Sequence, residues 1–145
     1  MSILSLDKVK LQASAKDKFE AIRIAGQLLV DAGHVGEEYI DKMIEREQLL
    51  STYMGGGLAI PHGTNEARKL IRSTGLSIVQ FADGIDFGEG EKAYILVGIA
   101  SASDDHLEML TNVATVCADD DNLDRLIKAS TAEEIISIFD GEVDG

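Results

Sequence analysis

Three histidines occur in this chain of 145 residues, and two stand where an imidazole could do chemistry. His62 lies in "GGGLAIPHGT", residues 55–64, directly after the only proline. Pro61 holds its own φ and drives Ile60 toward an extended conformation. Gly63 then permits a sharp turn, and Thr64 can cap a helix through "NEARKLI". His62 is therefore expected at the rim of an extended segment, just ahead of a helix N-terminus, where N–H groups and the helix dipole favour an anion.

His106, in "DDHLEML", follows the apolar run "AYILVGIA" and opens the next helix. Asp105 and Glu108 form a D-x-x-E capping pattern that would place it in the first turn. A neutral imidazole keeps one nitrogen lone pair while a hydrogen bond on the other nitrogen orients the ring. Such a group can attack phosphorus. The transition state spreads charge over three equatorial oxygens, so the site must supply donors. A second histidine, the Thr64 hydroxyl, the amide of Gly63 and the planar fork of Arg46 are the candidates. Taken alone, "PHG" is equally compatible with a plain turn, and His106 with an ordinary helix start. His34, in the turn "AGHVGEE", is expected to be a surface or satisfied core residue, and Cys117 a small buried hydrophobe.

Other chemistries lack their residues. No Lys-Ser/Thr pair follows the glycine run at the spacing of a nucleotide-binding loop. "HLE" lacks the C-x-x-C half of a zinc deaminase signature, since the chain has one cysteine. H-E-x-x-H and G-x-S-x-G are absent, so no metal site and no cofactor are expected.

The elements that must hold these residues follow from periodicity. "KDKFEAIRIAGQLLVDAG" repeats apolar residues at helical spacing and stops at Gly33; "EEYIDKMIEREQLL" does so with Ile40, Met43, Ile44 and Leu50 inward. "TGLSIVQFA" and "KAYILVGIA" read as strands buried on both faces, paired as a hairpin through "DGIDFGEGE". The start, "LDKVKLQ", reads as an edge strand. Helices follow at "SASDDHLEMLTNVATVCADDD", "NLDRLIKA" and "TAEEIISIF", and the tail "FDGEVDG" is expected to fray. The expected fold is α/β (α+β), a mixed β-sheet sandwiched between helices in one domain, residues 1–145. A net charge of −13 disfavours nucleic acid and anionic lipid, and no apolar run nears the roughly 20 residues that span a bilayer. The single cysteine suits a reducing compartment, and a cytoplasmic location is expected.

"STYMGGGLAIPHGTNEARKLI", "GLSIVQFADGIDFGEGEKAYILVGIA" and "DDHLEMLTNVATV" together resemble the A component (EIIA) of the bacterial sugar phosphotransferase system, in its mannitol/fructose class and nearest to the mannitol type. The resemblance runs over essentially the whole chain. It implies that His62 accepts a phosphoryl group from the carrier HPr and delivers it to a cysteine of the EIIB component of a permease, docking in trans. It implies that His106 contacts the phosphoryl group and that Arg46 lies at the pocket. Leu58 and Ile60 are expected to contribute to the docking surface, and Gly55–Gly57 to be merely flexible. A nitrogen-type EIIA, a regulatory module acting through its phosphorylation state, is the alternative.

Overall fold

The computed structural model describes the backbone of residues 4–102 and 106–144; the side chains of 65, 106–110 and 140–144 lie outside what it describes. Five strands form one mixed sheet in the order β1-β4-β5-β3-β2. Its centre is the antiparallel hairpin of β4 (Gly75–Asp86) and β5 (Lys92–Ala100). β1 (Val9–Lys10) runs parallel to β4 at one edge, as the N-terminal alternation predicts. β3 (Leu58–Ala59) runs parallel to β5, and β2 (Tyr53–Gly55) closes the other edge antiparallel to β3.

The sheet is covered on both faces, and β4 and β5 show why they read as unbroken apolar runs. Val79, Phe81 and Leu96 point to one face, where they meet Ile22, Ala25 and Leu29 of α1 (Lys18–Asp31) and Met43 of α2 (Glu38–Leu49). Ile78, Ile95, Val97 and Ile99 point to the other. There they meet Val113, Val116 and Cys117 of α3 (His106–Ala118), Leu126 of α4 (Asp120–Lys128) and Ile135 and Ile138 of α5 (Ala132–Asp144). Alternate side chains of a strand serve opposite layers, so a strand covered twice has no polar face. Gln80 is the polar exception. Buried among the α4 side, its Nε2 donates to the carbonyls of Leu126 at 2.9 Å, Ile127 at 3.1 Å and Ala129 at 2.9 Å, covering acceptors that the end of α4 leaves open.

Several expectations shift. β4 continues to Asp86, so the connection to β5 is shorter than "DGIDFGEGE". The segment 65–70 forms a 3-10 helix rather than an α-helix; Thr64 sits at its N-cap position but makes no capping hydrogen bond. The backbone of α5 remains helical to Asp144, where fraying was expected. Gly55, Gly56 and Gly57 are more than flexible: their φ values of +96°, +66° and +105° build the turn between β2 and β3, in a region that side chains disfavour. Leu50, expected inward, is 68% exposed, because α2 ends at Leu49 and Leu50 is already extended.

His34 is fully buried. Lys8 Nζ lies 2.6 Å from its Nε2 and Ser73 Oγ 2.9 Å from its Nδ1. An ammonium can only donate, so Nε2 accepts and Nδ1 carries the proton toward Ser73. Burial, and then the charge of Lys8, hold this imidazole below its ordinary pKa. His34 is thus the satisfied core residue that its turn context suggested. No helix among the described residues is long and apolar enough to cross a membrane.

Candidate functional site

His62 lies at the end of the β3 segment, past the last regular pair of that strand. Ile99 N donates to Pro61 O at 2.9 Å, and His62 forms a parallel bridge with Ile99. The segment 60–62 therefore runs on beside the C-terminal end of β5, where the crevice of an open sheet forms. The His62 side chain is half-buried, not sealed in the core. Its Nδ1 lies 2.8 Å from Ile60 O, and a carbonyl can only accept. Nδ1 is therefore the protonated nitrogen, and Nε2 bears the lone pair.

Tyr39 fixes the loop that presents this ring, a role the sequence did not suggest. Its hydroxyl donates to Ile99 O at 2.9 Å and accepts from Gly63 N at 2.9 Å. A single phenol thus ties α2, β5 and the residue after His62 together. Burial pushes the Tyr39 hydroxyl up to about 12, with the Gly63 amide opposing, so it stays a protonated donor at neutral pH. This redefines Gly63. Its φ is not positive, and its amide proton is committed to Tyr39 rather than open to a phosphoryl oxygen. A Cβ at this position would lie 2.6 Å from Tyr39 Cε1, so glycine is required by the close approach of the ring.

A second tie holds the segment on the outer side. Glu47 is buried at the end of α2 and accepts from Thr52 N at 2.8 Å, Thr52 Oγ1 at 2.6 Å and Lys18 Nζ at 3.2 Å. Burial alone would raise its pKa, but these donors together outweigh that and hold the carboxyl below its usual range. Thr52 O in turn accepts from Ile60 N at 3.0 Å. The antiparallel ladder beside it pairs Tyr53 with Ala59. Arg46 lies in the last turn of α2, its Nη1 donating to Leu50 O at 2.6 Å.

His106 begins α3, six residues after Ala100, the last residue of β5. Its side chain, and the Asp105–Glu108 capping pattern, lie outside the described residues. Leu58 and Ile60, expected on the docking surface, are 4% and 2% exposed and belong to the core under α3–α5. Their side chains face the layer of α3–α5, whose apolar residues cover them. Cys117 is buried too, and burial pushes its thiol up to about 12. Among the described residues no group of three or more His, Cys, Asp or Glu is placed to hold a metal ion.

The comparisons with known proteins agree with one another. The family described as "Phosphoenolpyruvate-dependent sugar phosphotransferase system, EIIA 2" matches residues 2–141. The mannitol-specific phosphotransferase enzyme IIA component of Geobacillus stearothermophilus is 50% identical over 139 residues, 96% of each chain. That of Bacillus subtilis (strain 168) is 45% identical over 139 residues, 96% of this chain and 97% of its own. Among solved structures, the complex of enzyme IIAMTL and phosphorylated enzyme IIBMTL from Escherichia coli contains a chain that superposes with a TM-score of 0.90. That chain is 34% identical, with 95% of this chain and 97% of that one covered. Matched along nearly its whole length, the chain belongs to the EIIA type 2 family of the sugar phosphotransferase system, whose members are phosphotransferases.

Proposed function

We propose that the chain acts as one EIIA domain, which takes a phosphoryl group from phospho-HPr onto Nε2 of His62 and passes it to the EIIB component of a mannitol permease. The observation that carries this assignment is the hydrogen bond from Nδ1 to Ile60 O, which sets the tautomer and directs nucleophilicity to Nε2. As the Nε2 lone pair forms its bond to phosphorus, the P–N bond to the donor histidine breaks, and positive charge develops on the His62 ring. The Ile60 carbonyl, already on Nδ1–H, stabilises that charge. In the second step the His62–phosphorus bond breaks as the acceptor group of EIIB, a cysteine by family resemblance, takes the phosphoryl group. Nothing in the cycle requires a metal or cofactor.

Charge on the transferred group is met by Arg46, which spends Nη1 on Leu50 O and keeps the rest of its fork, by the Thr64 hydroxyl, and by His106 from the start of α3. Gly63 contributes through position, since its amide is used by Tyr39. The mannitol-specific names of both relatives support the sugar-transport reading over the regulatory nitrogen-type one. A cytoplasmic setting is the reading that the free Cys117 supports, since a lone thiol suits a reducing compartment.

The test is incubation with phosphoenolpyruvate, enzyme I and HPr, followed by mass measurement. An acid-labile phosphoryl adduct is expected on the wild type and is lost in His62→Ala. His106→Ala is expected to accept the group slowly and to be impaired in passing it on. Retention of the adduct by His62→Ala would overturn the assignment.

A further inference from the structure

α2 grips the chain on both sides of His62. Tyr39 holds Gly63, the residue after the imidazole. On the other side the grip passes through buried residues, and its origin is a charge. Glu47 is 3% exposed, Thr52 4% and Ile60 2%. Glu47 Oε1 accepts from Thr52 N at 2.8 Å and from Thr52 Oγ1 at 2.6 Å, while its Oε2 accepts from Lys18 Nζ at 3.2 Å. Thr52 O accepts from Ile60 N at 3.0 Å, and Ile60 O accepts from His62 Nδ1 at 2.8 Å. A continuous line of donors and acceptors thus runs from a buried ion pair to the ring.

The strands alone are a weak support for the Ile60 carbonyl. β2 and β3 are three and two residues long, and their pairing is irregular between Tyr53 and Gly55. Pro61 has no N–H to give to a neighbouring strand. The Ile60 amide is spent on Thr52, so the placement of Ile60, and with it of its carbonyl, follows Thr52. A carboxylate is a costly group to bury. Hydrogen bonds to an ionised acceptor are short and about twice as strong as neutral ones, so it is also a firm anchor for so short a strand. Without an acceptor aimed at Nδ1, a neutral imidazole shares its proton between both nitrogens, and the ring turns.

We infer that Glu47 is a positioning residue for phosphoryl transfer: through Thr52 and the Ile60 carbonyl, it holds His62 with its proton on Nδ1 and its lone pair on Nε2. The inference rests on His62 being the phosphoryl carrier. Glu47 acts at a distance, with Thr52 and Ile60 between it and the ring.

The test compares Glu47→Leu, Thr52→Val and the rescue variant Thr52→Ser with the wild type. Gln80→Leu, which strands buried carbonyls on the α4 side of the sheet, controls for a general loss of stability. Nitrogen NMR of the imidazole, at a pH where the ring is neutral, reads the tautomer without any phosphoryl group. Rapid quench with phospho-HPr reads kcat and KM separately. The wild type is expected to show the Nδ1–H form. Glu47→Leu is expected to show a mixture of tautomers, with kcat lowered about tenfold and KM for phospho-HPr within about twofold of wild type. Thr52→Val keeps the amide tie and is expected to lower kcat about threefold, most of which Thr52→Ser restores. Should Glu47→Leu not fold, the two Thr52 variants decide. A wild-type tautomer and kcat in folded Glu47→Leu, or in its place in Thr52→Val, overturns the inference. So does the same mixture of tautomers in Gln80→Leu, which would mark a loosening of the whole domain. A wild type that holds the Nδ1–H form, loses it in Glu47→Leu and is never phosphorylated would refute the carrier role of His62 and leave the positioning by Glu47 standing.

Discussion

Replacing Tyr39 by phenylalanine removes one oxygen and leaves the buried ring in place. That oxygen holds two main-chain groups, the amide of Gly63 and the carbonyl of Ile99, each at 2.9 Å. Tyr39 is only 2% exposed and Gly63 is buried, so water does not replace the lost partner. A buried polar group stranded in this way costs about 1–3 kcal/mol. The carbonyl retains a second lone pair direction and lies toward the low end, so the two together predict a loss of about 2–4 kcal/mol. At about 3 °C per kcal/mol for a domain of this size, the thermal midpoint should fall by roughly 6–12 °C. Urea unfolding followed by circular dichroism measures this directly, and the slope m should not change, because the surface exposed on unfolding is the same. The same oxygen steadies the residue after His62, so acceptance of the phosphoryl group from phospho-HPr should slow several-fold in Tyr39→Phe under conditions where the protein is folded. A loss below about 0.5 kcal/mol with unchanged phosphorylation would refute the claim that this phenol organises the loop.

Gln80→Leu keeps approximate volume but withdraws the donor shared by the carbonyls of Leu126, Ile127 and Ala129; chemical denaturation should show a loss of about 2–4 kcal/mol, while the transfer activity of the folded protein is retained. Stability should also fall with acid in two stages. His34 has a lowered pKa when folded, so between that value and its ordinary 6.5 the unfolded chain binds more protons, and stability declines as pH drops through this window. Glu47, also lowered, adds its loss as pH falls below its ordinary 4.5. Unfolding free energies measured from pH 8 to 3 should show both stages, and His34→Gln should flatten the upper one.

How much of this could be read from the chain alone depends on the range of the interactions involved. The helices α1 and α2 and the β4–β5 hairpin were legible because their periodicities are local consequences of which faces are buried, and these elements are long enough to display them. His62 was legible for a similar reason: the run Ile60-Pro61-His62-Gly63-Thr64 constrains its own backbone, and the order of residues within it is specific to a family. The short strands β2 and β3 were not, because two or three residues carry no period and their pairing depends on the glycine turn between them. Tyr39 read as one more apolar residue on a helix; its hydroxyl acquires a task only when residues 24 and 60 positions away are brought to it. The burial of Leu58 and Ile60 under α3–α5, the exposure of Leu50 where α2 ends and the commitment of the Gly63 amide to Tyr39 are all decided by how distant elements pack. The amino-acid order thus determined the layers and the local backbone that carries His62 through near-neighbour sterics and burial patterns. Folding alone decided what surrounds His62, because each buried polar group takes its partner from wherever the packed chain provides one.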